Sequence, residues 1–171
     1  LAKLGIGGRR VANTDAVGTY GNGVCYKIYN LPTPTMAVKV ATKFDNFNGA
    51  SQQSGFTYTG SSANSTSFAS EGTHSVNIPA SSTISKSIDF GTTNEIWQIE
   101  FDVYLDTLGT LTVTAGATTL ATINSGAGEW QTVKLDTSAI TGTQTLTFTT
   151  AAGTEVYVDS IRYMDNKCYT I

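Results

Sequence analysis

The sequence predicts an all-β protein, an antiparallel β-sandwich of the jelly-roll type with an extended N-terminal arm. The composition supports this class: 29 of the 171 residues are threonine, which favours strands, and 17 glycines and 15 serines suit tight turns. Apolar residues also alternate with polar ones in about eight short segments, each bounded by turn residues. Short strands with short connections indicate two packed sheets.

Residues 1–41 are predicted to be an arm or docking segment, with little periodicity in residues 1–20 and two short strand candidates at residues 24–28 and 36–40. Residues 42–171 are predicted to form the sandwich. The charge is distributed unevenly, because the first fifty residues carry a net +4 and the rest a net −7. We expect the cationic arm to dock on copies of this chain or on other assembly subunits. Charge attraction or the addition of a strand to a sheet edge would hold it there.

The predicted strands follow from apolar residues spaced two apart. In chain order these are Val76 and Ile78; Ile84, Ile88 and Phe90; residues 96–105; Leu111 and Val113; Val133 and Leu135; Leu146 and Phe148; and residues 156–163. Trp130, Thr132 and Lys134 take the opposite face to Val133 and Leu135. Segments in which apolar and polar residues alternate are predicted to be half-buried strands with one face toward the core.

The clearest predicted strand is residues 96–105, which we expect to be a central antiparallel strand. One of its faces packs on the core (the dry face) and the other faces solvent (the wet face). Its dry face carries Trp97, Ile99, Phe101, Val103 and Leu105. Its wet face carries Gln98, Glu100, Asp102 and Tyr104.

The last strand needs an irregularity, because Val156 and Val158 are out of phase with Ile161 and Tyr163. A β-bulge near residues 159–160 would turn all four apolar side chains to the same face.

Three segments, at residues 44–47 with 71–78, at 128–135 and at 155–163, resemble parts of jelly-roll carbohydrate-binding modules (family 4/9/22-like). The resemblance covers about residues 42–164. Such modules accompany glycoside hydrolases, and the same sandwich is found in phage fibre, decoration and surface-filament proteins. It therefore implies a fold but leaves two functions open.

The resemblance implies a structural Ca²⁺ held by Asp45, Glu71 and Asp159, since calcium prefers carboxylate and carbonyl oxygens. The alternative is that these are ordinary solvated or capping carboxylates. No other cofactor is expected.

The resemblance also implies glycan binding through aromatic rings and hydrogen-bonding side chains. The candidates are the wet row Gln98, Glu100, Asp102 and Tyr104, with Tyr58, Phe56 and Phe68 as loop aromatics. The sequence departs from the family in lacking an obviously exposed tryptophan. The alternative is that the row is only the hydrated side of a strand.

Cys25 and Cys168 lie near opposite ends of the chain and could pair in an oxidising compartment, or remain two buried thiols. The tripeptide Asn64–Ser65–Thr66 is an N-glycosylation sequon. The low charged fraction of 13% and the many Thr and Ser residues indicate an extracellular or surface location.

No catalytic constellation is expected: His74, the one histidine, lies in a strand-like segment, and no nucleophile elbow occurs. The net charge of −3 argues against nucleic acid as the main partner, and no apolar run is long enough for a membrane span. Sequence alone favours a non-catalytic surface module of an extracellular or virion assembly. The alternative is a carbohydrate-binding module of a secreted polysaccharide-active enzyme or adhesin.

Overall fold

The computed structural model describes residues 18–20, 23–25, 41–93 and 95–165. These residues form thirteen strands and no helix, so they contain no helix that could cross a membrane. The strands are β1 (Gly18–Tyr20), β2 (Gly23–Cys25), β3 (Ala41–Asp45), β4 (Phe56–Thr59), β5 (Ala63–Ser65), β6 (Ser75–Ile78), β7 (Thr83–Asp89), β8 (Ile96–Leu105), β9 (Leu111–Ala115), β10 (Thr118–Ile123), β11 (Trp130–Asp136), β12 (Thr143–Thr150) and β13 (Val156–Asp165).

The chain divides into two units, Leu1–Val38 with Tyr169–Ile171, and Lys39–Cys168. In the first unit β1 and β2 form an antiparallel hairpin. The predicted docking arm lies largely outside the described residues, and so does Cys168, the partner of Cys25 in the candidate disulfide. Both stay predictions.

The second unit is an antiparallel sandwich, which confirms the predicted fold class. One sheet has the strand order β10-β9-β12-β7-β4, and the other has the order β11-β8-β13-β6-β5. β13 is central to the second sheet because it pairs with β8 along one side. Its other side pairs first with β6 and then with β3.

The core lies between the two sheets and follows the predicted alternation. Ile99, Phe101, Val103 and Leu105 of β8 are fully buried, and Leu146 and Phe148 face them from the other sheet. Phe101 packs edge-on against Phe148, with the ring centroids 5.1 Å apart. The alternation slips at the start of β8, where Ile96 is buried and Trp97 is partly exposed.

The predicted bulge in β13 is confirmed. The register with β8 shifts between Asp159 and Arg162, and Ser160 has a positive φ of 52°. Val158 and Ile161, on either side of the bulge, are therefore both fully buried in the core. Asp159 faces the outer side of the sheet, where the candidate site lies.

Candidate functional site

An aromatic row crosses the outer face of the six-stranded sheet. Trp130 of β11 is the register partner of Tyr104 of β8, and Tyr104 is also the partner of Tyr157 of β13. The Tyr104 ring centroid lies 5.7 Å from that of Trp130 and 6.3 Å from that of Tyr157. Trp130 and Tyr104 are partly exposed, whereas Tyr157 is buried.

An ionic network lies beside the aromatic row on the same face. Arg162 Nη2 donates to Asp102 Oδ2 at 3.1 Å, and Lys134 Nζ lies 3.0 Å from Glu100 Oε1. Arg162 Nη1 is also 3.8 Å from Glu100 Oε2. The Lys134 side chain is 66% exposed, against 13% for Glu100 and for Asp102. Lys134 is therefore the solvent-facing charge of this network.

Two neutral side chains complete the polar part of the face. Gln98 Nε2 donates to Glu100 Oε1 at 2.6 Å, and Thr132 Oγ1 donates to Asp102 Oδ1 at 2.7 Å. The structure thus brings together Gln98, Glu100, Asp102 and Tyr104, the four row residues that sequence analysis selected. Each carboxylate is held by both a cation and a neutral donor.

The β5–β6 loop, residues 66–74, crosses this face over β13 and is anchored on Asp159. Asp159 Oδ2 accepts hydrogen bonds from Ser70 N at 3.0 Å, Ser70 Oγ at 3.1 Å and Glu71 N at 3.1 Å. Its Oδ1 accepts from Ser160 N at 2.8 Å. Asp159 is fully buried under the loop, and this burial raises the pKa of its carboxyl despite the four donors.

The same loop places Phe68 over the aromatic row. The Phe68 ring stacks on Tyr104 with centroids 4.3 Å apart and planes inclined by 21°. It also meets Tyr157 edge-on at 4.9 Å. Phe68, named from sequence only as a loop aromatic, therefore belongs to the outer face.

Tyr58 is not part of this face. It lies on β4, at the edge of the five-stranded sheet, and packs against the core. Its hydroxyl donates to Asn64 Oδ1 at 2.7 Å and accepts from Gln53 N at 3.1 Å, and burial raises its pKa. Phe56, also on β4, is buried against Phe47. The structure thus gives both aromatics a packing role, contrary to the prediction that grouped them with the glycan row.

Asp45 is bound by protein donors in place of a metal. Lys86 Nζ lies 2.7 Å from Asp45 Oδ1 and 2.6 Å from Oδ2, and Tyr163 Oη donates to Oδ2 at 2.8 Å. An ammonium group seated on both oxygens opposes the binding of a second cation there.

Glu71 and Asp159 do come together, because Ser160 Oγ donates to Glu71 Oε2 at 3.1 Å and Ser160 N donates to Asp159. However, N–H and O–H donors point at the Asp159 oxygens where a metal would need lone pairs. Within residues 41–93 and 95–165, no three acidic, His or Cys side chains form a metal cluster. The three predicted calcium ligands therefore do not fit Ca²⁺ in this structure.

Sequence reasoning missed Trp130, and it also missed Thr132, Lys134, Tyr157 and Arg162 on the same face. The expectation that no tryptophan would be exposed came from treating Trp130 as a strand start. The signal was present, because Trp130 shares its parity with Thr132 and Lys134, which face solvent. The register Trp130↔Tyr104 then sets it beside the predicted row.

No family model matches the sequence, and no curated protein matches it. Solved structures do match. The CBM22-1 xylan-binding domain of Paenibacillus barcinonensis Xyn10C has a TM-score of 0.56 at 19% identity, over 78% of this chain and 100% of that domain. A carbohydrate-binding module, CBM36, solved with calcium and xylotriose, has a TM-score of 0.52 at 15% identity, over 71% and 98%.

A glycoside hydrolase family 43 arabinoxylan arabinofuranohydrolase from Bacillus subtilis matches with a TM-score of 0.55 at 16% identity. The match covers 84% of this chain but only 31% of that enzyme, so this chain spans about a third of its length. The fold is therefore the jelly-roll β-sandwich found in carbohydrate-binding modules, as the sequence motifs predicted. At these identities the likeness extends to the fold alone.

Proposed function

We propose that this protein is a non-catalytic carbohydrate-binding module that holds a polysaccharide on the outer face of its six-stranded sheet. The observation that carries the proposal is the aromatic row, with Trp130 and Tyr104 partly exposed beside hydrogen-bonding side chains. Ligand sites commonly combine such apolar ring surface with a few placed polar groups. The proposal favours the alternative function that the sequence left open.

In this proposal the C–H face of a sugar ring packs on Trp130. The sugar hydroxyls then bind the polar groups of the face that lie nearest to Trp130, namely Thr132 and its register partner Asp102. Asp102 acts as a hydrogen-bond acceptor, since Arg162 and Thr132 already hold it in place.

The ligand class is a neutral plant-type polysaccharide such as xylan. The two carboxylates of the ionic network are balanced by Lys134 and Arg162, so the network itself carries no net charge. Two of the matching structures are described as xylan-binding or as holding xylotriose, which supports testing this class first. The module would work outside the cell, alone or attached to a secreted enzyme or adhesin.

Isothermal titration calorimetry with xylotriose and soluble xylan tests the proposal. Trp130→Ala should weaken binding by at least about tenfold, since it removes the proposed ring platform. Phe44→Ala is the matched control, because Phe44 is an exposed aromatic on the same sheet, beside Arg162 and away from the aromatic row. No binding by the native chain across a panel of polysaccharides would refute the proposal.

A second candidate function is that of a surface subunit in an extracellular or virion assembly. It is favoured by the opposite net charges of residues 1–50 and 51–171. It predicts that the native chain forms large assemblies in solution and that removing residues 1–41 reduces them to monomers. Light scattering on both proteins would decide, and a monomer in both cases would refute it.

A further inference from the structure

Phe68 occupies the kind of position that a bound sugar ring would take. Its plane is inclined by only 21° to that of Tyr104, with the ring centroids 4.3 Å apart. Tyr104 and Trp130 are instead tilted by 50° at 5.7 Å, so they lie side by side. Phe68 therefore contacts two rings of the aromatic row, Tyr104 and Tyr157, whereas Trp130 remains partly exposed.

The backbone around Phe68 is held in place, so this ring is a fixed wall. Ser75 Oγ donates to the Phe68 carbonyl oxygen at 2.5 Å. Two residues further on, Ser70 Oγ lies 3.0 Å from Asp102 Oδ2 and 3.1 Å from Asp159 Oδ2, so its single hydroxyl hydrogen is shared by the two carboxylates. Ser70 N and Glu71 N donate to the buried Asp159. The β5–β6 loop is thus anchored at Phe68 itself and again at Ser70 and Glu71.

We propose that Phe68 closes the glycan platform on the β13 side and makes the module specific for short glycan segments. This inference rests on the proposed function. Tyr157, the third ring of the aromatic row, is only 6% exposed because Phe68 packs against it. A polysaccharide therefore contacts the Trp130 side of the row, and additional sugar units running toward β13 meet the loop.

The experiment compares the dissociation constants of xylotriose and xylohexaose by calorimetry in four proteins. In the native protein the two constants should agree within about twofold. In Phe68→Ala the uncovered rings Tyr104 and Tyr157 should extend the platform, so that xylohexaose binds roughly tenfold more tightly than xylotriose. Phe68→Leu keeps an apolar side chain and is therefore less liable to disturb folding. Its ratio of the two dissociation constants should lie between those of the native protein and Phe68→Ala. Thr66→Ala, in the same loop, should match the native protein.

The outcomes separate the two proposals. If the native protein binds neither oligosaccharide nor any polysaccharide tested, the proposed function is refuted, and the role of Phe68 falls with it. If the native protein already prefers xylohexaose as strongly as Phe68→Ala does, Phe68 does not limit the length of the bound glycan and the inference is refuted. A loss of binding to both oligosaccharides in Phe68→Ala would also refute it, because Phe68 would then be a contact for the sugar.

Discussion

Lys86 Nζ lies 2.7 and 2.6 Å from the two carboxylate oxygens of Asp45, and this ion pair joins the two sheets of the sandwich. Lys86 belongs to β7 of the five-stranded sheet, whereas Asp45 ends β3, which pairs with β13 of the other sheet. The ammonium also lies 4.9 Å from the Phe56 ring centroid and 5.6 Å from that of Tyr163. A lysine therefore supplies the positive charge that Asp45 needs in a largely buried position.

Removing this charge should destabilise the fold. We expect Lys86→Met to lower the free energy of unfolding by roughly 2–3 kcal/mol, since it leaves the buried Asp45 carboxylate without a cation. The loss is limited to this range because the Lys86 ammonium is itself partly exposed to solvent. The double variant Lys86→Met with Asp45→Asn should recover part of the loss. Urea unfolding measures both.

Lys134→Met is the matched control for this experiment. Its ion pair with Glu100 has similar length, but the lysine side chain is 66% exposed against 22% for Lys86. The control should cost no more than about 1 kcal/mol. Equal losses in Lys86→Met and Lys134→Met would contradict the role assigned to the buried pair.

Calcium should have little effect on this protein. A ligand that binds only the folded state raises the melting temperature, but Asp45 and Asp159 are already occupied by Lys86 and by backbone and hydroxyl donors. We expect less than about 2 °C difference between millimolar CaCl₂ and EDTA by differential scanning calorimetry. MgCl₂ at equal ionic strength is the control. A rise of several degrees that is specific to calcium would show that a cation site exists.

Much of this architecture follows from local patterns, and the exceptions are long-range pairings. The two-residue period predicted the buried face of β8, and the phase change in β13 predicted the bulge. Phe68 lies in a loop without periodicity, so nothing local indicates that it reaches Tyr104. Lys86 likewise lies at an inward position between Ile84 and Ile88. Its partner Asp45 is 41 positions away in the chain and meets it only because the two sheets pack together. Sequence therefore predicted the row of polar residues on β8 but neither the contact of Phe68 with Tyr104 nor the pairing of Lys86 with Asp45.

Tyr163 should make stability fall at alkaline pH. Burial and the neighbouring Asp45 raise the pKa of its phenol far above the usual value of about 10. The unfolded chain then releases a proton that the folded protein keeps, so stability is fully present below pH 10 and declines above it. The slope from this one group approaches about 1.4 kcal/mol per pH unit.

Tyr163→Phe isolates this contribution, because the other titrating side chains remain. Urea unfolding at several pH values from 8 to 11 should show a steeper decline for the native protein than for the variant. Parallel declines would mean that Tyr163 ionises normally in the folded state.

Asn64 should be structural, although it begins the sequon Asn64–Ser65–Thr66. Its Nδ2 lies 3.1, 2.6 and 2.7 Å from the carbonyl oxygens of Phe47, Gly49 and Ser51, and its Oδ1 accepts from Tyr58. Asn64→Asp would turn a carboxylate oxygen toward these carbonyls and remove the N–H groups they share, and should cost about 1–2 kcal/mol. Asn124→Asp, at an exposed turn position, is the matched control and should be nearly neutral. Urea unfolding compares the two variants. If Asn64→Asp is as stable as Asn124→Asp, the amide does not hold the β3–β4 connection and Asn64 is free to carry a glycan.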